Sequence, residues 1–267
     1  GTNMVVKKAV AHASAAHTMP EVSTITTADL MDALSKGVAD FNAKPTHLVF
    51  LGIIYPILMV LFARTYAGYD FLPLVFPIIA GSTLLGPLAA CGMYELSRRR
   101  EQGLEVSWLN CFDVLRSPSI LAIVMVGVVL AGIFLIWLVV AQGIYASHFG
   151  AAVPSTVGGF AEQVFMTSSG WSLIIIGGGV GFVFFVVVLT ISVVSIPMLL
   201  DRQVDWMTAI MASVRTVLAN PKTMAVWGLI VAAALFLGAL PLFVGLAVVM
   251  PILGHATWHL YRKVLAS

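Results

Sequence analysis

SILAIVMVGVVLAGIFLIWLVVAQGIY, residues 119–145, decides the fold of this chain. It lies within residues 117–161, a run without a single Asp, Glu, Lys or Arg. A helix needs about 20 apolar residues to cross the hydrocarbon core of a bilayer. In lipid every backbone amide and carbonyl must be satisfied within the protein, so only helices and closed barrels cross it. Barrel strands alternate apolar and polar residues. This run is apolar on every face and reads as a membrane helix.

Three further runs, 71–94, 163–200 and 223–261, are equally free of charge. The last is too long for one helix and has Pro241 near its middle, so it reads as a tight hairpin. Six membrane helices follow: about Thr46–Ala63, Phe71–Ser97, Ser119–Tyr145, Trp171–Leu200, Thr223–Leu240 and Leu242–Arg262. Ser155–Phe165, in the long third linker, reads as one short extra helix. Composition agrees, with 60% of residues hydrophobic and 10% charged, against roughly 25% charged in a soluble domain. No basic patch interleaved with aromatics points to nucleic acid.

Charge orients the chain. Of its 14 Lys and Arg residues, only Arg64 falls in a linker on the far side of the six-helix threading. Lys7, Lys8, Lys36 and Lys44, Arg98 to Arg100 and Arg116, Arg202, Arg215 and Lys222, and finally Arg262 and Lys263 share the other side. Basic residues in short loops stay cytoplasmic, so both termini are expected in the cytoplasm of a bacterial inner membrane. Residues 1–26 read as a disordered cytoplasmic tail and 27–267 as a single membrane domain. Cys91 and Cys111 fall near the cytoplasmic face, where thiols stay reduced.

The chain also repeats itself. Asp29, Met31, Ala33, Val38 and Pro45 match Asp205, Met207, Ala209, Val214 and Pro221 without gaps. Pro87, Leu96 and Arg98 share their spacing with Pro251, Leu260 and Arg262, which sets Glu95 opposite His259. A weaker middle copy takes Trp108–Pro118 as its short helix. The expected unit is a short amphipathic helix followed by a membrane hairpin, used three times over about 27–100, 104–200 and 204–264. Leu30, Leu34, Val38 and Phe41 form the apolar stripe of the first short helix, and Trp206, Ile210, Val214 and Val217 that of the third. Such helices lie in the cytoplasmic interface or pack on the bundle.

Polar groups within the bilayer are the natural candidates for chemistry, and few exist. His255 and His259 lie one turn apart on the sixth helix, Glu95 near the end of the second, and His47 at the start of the first. His47 with His255 or His259 is the one arrangement able to ligate a haem b between two helices. Interfacial anchoring or interhelical hydrogen bonding is the plainer role for the same residues. Gly177 and Gly181 on the fourth helix have the GxxxG spacing of close helix packing. No GxSxG, HExxH, CxxC or phosphate-binding glycine motif occurs, so no enzyme and no resident cofactor are expected.

Four stretches, GPLAACGMYELSRRREQG (Gly86–Gly103), Trp108, SIPMLLDRQVDW (Ser195–Trp206) and PILGHATWHLY (Pro251–Tyr261), resemble the bacterial domain-of-unknown-function 2189 family of predicted integral membrane proteins. Some members carry a cytochrome c oxidase subunit label, which implies a respiratory membrane setting. The resemblance supplies no catalytic residues. The expectation is a non-catalytic accessory or scaffold subunit surrounded by lipid and other membrane proteins. A small transporter and a haem- or quinone-binding redox protein are the alternatives.

Overall fold

The computed structural model describes residues 3–7, 19–68, 72–82, 86–151, 153–154 and 156–265, and among these it contains helices and no strand. The helices are α1 (Thr27–Ala43), α2 (His47–Ala67), α3 (Leu72–Ser82), α4 (Gly86–Glu101), a 3₁₀ helix (Trp108–Arg116), α5 (Ile120–Phe149), α6 (Val157–Phe165), α7 (Ser168–Ser192), α8 (Ser195–Asp201), α9 (Trp206–Ala219), α10 (Pro221–Ala239) and α11 (Leu246–Val264). Five stretches are long and apolar enough to cross a membrane: His47–Thr65, Leu72–Glu101, Ile120–Phe149, Ser168–Asp201 and Pro221–Ala239. The sixth expected span, Leu242–Arg262, is not among them. Its place is taken by α11, which carries His255, His259, Arg262 and Lys263 and buries most of its surface in protein.

The second expected span is described as α3 and α4, which flank residues 83–85 outside the described residues; Pro87 lies in the first turn of α4, where proline's missing amide costs nothing. The fourth breaks between Ser192 and Ser195, and the Val194 amide freed there donates to Ser213 Oγ at 3.1 Å. The short helix α6 starts as the sequence suggests, with Thr156 Oγ1 capping the Gly159 amide at 2.9 Å.

The chain forms two compact units. The first comprises Gly1–His47, Pro87–Gly127 and Thr190–Ser267; the second, Leu48–Gly86 and Val128–Leu189. Among the described residues, every Lys and Arg except Arg64 belongs to the first.

In the first unit α11 is the core. Trp258, Leu260, Tyr261 and His255 are each at most 1% exposed. α1 lies directly against it. A Cβ added at Gly37 would fall 2.8 Å from both Ala256 N and Ile252 O, so only glycine permits this approach. That contact redefines the buried face of α1 as Leu30, Ala33, Gly37, Asp40 and Phe41. Leu34 is half-buried and Val38 exposed, contrary to the apolar stripe expected from periodicity. On α9 the buried residues are again small, Ala209, Ala212, Ser213 and Thr216. α10 and α11 are joined through a tight turn in which Leu242 and Phe243 have φ of 52° and 66°. There a Cβ on Gly245 would meet Gly238 O at 2.7 Å.

The expected tail falls partly on residues 8–18, which lie outside the described residues. Its last residues are firmly held. Ser23 N donates to Val264 O, Ile25 N to Asn220 Oδ1 and Thr223 Oγ1 to Ile25 O, all within 3.0 Å. Thr26 and Asp29 then close a capping box on α1.

In the second unit the packing centres on Trp137 of α5. Its indole Nε1 donates to Pro77 O at 2.9 Å, and its ring stands 5.5 Å from that of Phe184. Tyr145 OH donates to Gln163 Oε1 at 2.9 Å and ties α5 to α6.

Candidate functional site

A dense polar group gathers on the buried side of α1, within the first unit. Asp40, 7% exposed, sits one turn beyond Gly37, so the close approach that selects glycine also carries a carboxylate into the helix interface. Its Oδ1 accepts from Arg100 Nη1 at 2.7 Å. Its Oδ2 accepts from Ser97 Oγ at 2.7 Å and from His259 Nε2 at 2.6 Å. Three helices, α1, α4 and α11, meet at this one side chain.

Proton assignment follows from valence. A carboxylate can only accept, so the single hydroxyl proton of Ser97 points to Asp40. Ser97 Oγ also lies 2.6 Å from His255 Nδ1. With its proton committed, Ser97 must accept there, and His255 must donate from Nδ1. In the neutral ring Nε2 is then a bare acceptor, and this buried atom has no hydrogen-bond partner among the described residues. Burial pushes the Asp40 carboxyl upward, but hydrogen bonds from His259 and Ser97 and the nearby imidazoles outweigh it and leave it below the ordinary carboxylate range.

A cavity of about 160 Å³ adjoins the cluster, lined by Asp40, Lys44, Leu96, Arg100, Val106 and His255. Further along α11 a second set of ties continues. Glu101 accepts from Trp258 Nε1 and Arg262 Nε, both at 2.8 Å, and Asp201 accepts from Tyr261 OH at 2.6 Å and Arg262 Nη1 at 3.3 Å. Lys263 Nζ reaches Asp32 at 2.6 Å. Lys263 and Lys36 together hold exposed Asp32 at a pKa of about 2.

The residues singled out from sequence separate. His255 and His259 join the cluster, each already bonded to protein. His47 instead lies edge-on to Phe41, with ring centroids 6.5 Å apart. Glu95 is buried but pairs with Arg98 through both oxygens at 3.1 Å, beside a second cavity. In the second unit a Cβ on Gly181 would come within 3.1 Å of Trp137, whereas one on Gly177 would meet nothing within 4 Å. Among the described residues no group of three or more His, Cys, Asp or Glu could hold a metal ion. Cys91 and Cys111 are free and buried.

Asp40, Ser97 and Arg100 were not anticipated. The available signal was the Ala33–Gly37–Asp40 spacing: small, small, charged, on a face that a large-residue pattern overlooks.

Apolar helices of spanning length, with the basic residues gathered in one unit, define an integral membrane protein of the helical class. Residues 75–201 match the model of a family described as predicted integral membrane protein (DUF2189). The matched segment includes Ser97 and Arg100 but not Asp40, His255 or His259. Comparison with curated proteins and with solved structures gave no match.

Proposed function

We propose that this chain is a non-catalytic accessory or scaffold subunit of an inner-membrane complex, crossing the bilayer six times with both termini cytoplasmic. One observation carries the subunit reading. Only 6% of the apolar His47–Thr65 span is buried within the chain. Ile53, Ile57, Met59, Val60 and Phe62 are all exposed. Apolar side chains gain nothing by leaving lipid for one another, so membrane helices associate by shape and small-residue contact. A span left so bare is available to a neighbouring subunit.

The sixth crossing is assigned to α11. It follows α10 through a tight turn, and its basic end meets Asp32 of α1 and Glu101 at the end of α4. Its histidines face protein rather than lipid, which is how polar residues are accommodated at membrane depth. Exposed Met31 and Val38 on α1, and Met207, Met211 and Leu218 on α9, suit helices touching the headgroup region.

The test is a photo-crosslinking amino acid at Met59 or Phe62 of the full chain in its native membrane. A discrete crosslinked band containing a second membrane polypeptide supports the subunit reading. Crosslinks to lipid alone reject it.

A further inference from the structure

The first turn of α5 carries donors that no protein group takes up. The helix begins at Ile120, and the carbonyl of the preceding Ser119 accepts from the Ile123 amide at 3.0 Å. The amides of Leu121 and Ala122 lie too early for a carbonyl of the same helix, and neither has a partner among the described residues. A serine before a helix ordinarily turns its hydroxyl back onto such an amide. Ser119 does not. The residue is 8% exposed, yet its hydroxyl makes no hydrogen bond among the described residues. The Ser195 hydroxyl is sealed from solvent; that of Ser119 is not. Ser119 lines two cavities, of about 320 and 400 Å³, which also share Pro118 and Gln203.

The charges of this lining are largely matched. Arg98 holds Glu95, and Arg99 reaches in to Asp113 at 3.4 Å. Asp201 is held by Arg262 at 3.3 Å and lies 3.8 Å from Arg202. Exposed Arg116, on the wall of the first cavity, has no ion pair among the described residues. Asp205 lies on the wall of the second and caps α9 through Thr208. The two cavities thus offer an available guanidinium and hydroxyl beside a helix start, a carboxylate further on, and no excess of positive charge.

We propose that these cavities seat the headgroup of phosphatidylethanolamine. The phosphodiester sits at Arg116, the Ser119 hydroxyl and the first turn of α5, and the ammonium faces Asp205. Free amides at a helix N-terminus are a ready site for a phosphate. A headgroup with net negative charge, such as that of phosphatidylglycerol, brings the phosphate without a partner for the carboxylate. Choline brings the positive charge but no N–H to donate, whereas an ammonium has three such donors. The chains of the lipid have a place as well. Leu121, Val124 and Met125 are exposed at i, i+3 and i+4 on a helix of spanning length, so they share one apolar face that starts at the cavity. Two acyl chains lie along that face while the head stays at its polar end. The site requires only that α5 span the membrane, and so stands apart from the subunit reading.

The test uses the full chain in mild detergent. Phosphatidylethanolamine, phosphatidylglycerol and phosphatidylcholine with identical acyl chains are supplied in equal amounts, and native mass spectrometry reads which remains bound. Phosphatidylethanolamine is expected to be retained over both others. Arg116→Gln, at an exposed position, lowers that retention about tenfold, the scale of one charge-assisted hydrogen bond. Asp205→Asn keeps a residue that caps α9 equally well and removes the preference over phosphatidylcholine. Equal retention of phosphatidylethanolamine and phosphatidylcholine, a preference for phosphatidylglycerol, or no retained lipid overturns the proposal, as does retention unchanged by Arg116→Gln. The unsubstituted chain decides the comparison of lipids, so misfolding of a variant cannot obscure it.

Discussion

Removing the Asp40 carboxylate tests whether the three-helix junction holds the first unit together. Asp40→Ala withdraws the acceptor from Ser97, His259 and Arg100 at once. The three ties are unequal. Arg100 is 44% exposed, so that pair is screened and contributes at most about 1 kcal/mol. His259 is 14% exposed and Ser97 is buried, so both lose a charge-assisted bond where water cannot replace it. Breaking one side of a buried charged network costs about 3–5 kcal/mol. Allowing for solvent at Arg100, the expected loss is about 3 kcal/mol. Equilibrium unfolding in mixed micelles, followed by the fluorescence of buried Trp227 and Trp258, measures it. The comparison also has a pH signature. The folded carboxyl lies below its ordinary value of 3.8, so its contribution is complete above about pH 4 and fades as pH falls through the folded value. The gap between the parent and Asp40→Ala should therefore be constant from pH 7 to 5 and close below 4. A loss under about 1 kcal/mol, or a gap that widens on acidification, would refute the reasoning.

Gly37→Leu should prevent α1 from docking on α11, because its first side-chain atom already collides with the Ala256 and Ile252 backbone; protease cleavage between α1 and α2 would rise sharply. Gly177→Ala meets open space and should change stability by no more than about 0.5 kcal/mol in the same unfolding assay. Trp137→Phe deletes the bond to Pro77 O while keeping the ring, for an expected loss of about 1 kcal/mol in thermal unfolding. Reporters fused after Ser267 and after Gly150 should report cytoplasm and periplasm respectively; the same compartment for both would refute the six-crossing proposal.

The sequence made the apolar segments plain because charge cannot be hidden in lipid. α2, α5 and α10 begin and end close to where charge-free runs and prolines place them, and α6 lies where its weak helical signal suggested. What it concealed follows from a single physical cause. A hydrophobic pattern ranks positions by side-chain size, whereas the α1–α11 contact is set by how closely two backbones approach. That criterion favours Ala33 and Gly37 over Val38 and brings Asp40 inside. The two α11 histidines were visible as polar residues in an apolar run. Their partners on α1 and α4 were not, because nothing local links Asp40 to Ser97 or either to His255. The break between Ser192 and Ser195 is hidden for a similar reason, since hydropathy continues across it.

The contact between α1 and α11 bears on how the protein is made. Gly37 and Asp40 are synthesised before any of the five spanning stretches, and the α11 surface they meet only after all of them. Until α11 has been made, α1 waits with a carboxylate that lacks its His259 partner. The first unit therefore closes only once α11 is present, and a chain cut before α11 would insert its spans yet leave α1 exposed to proteases.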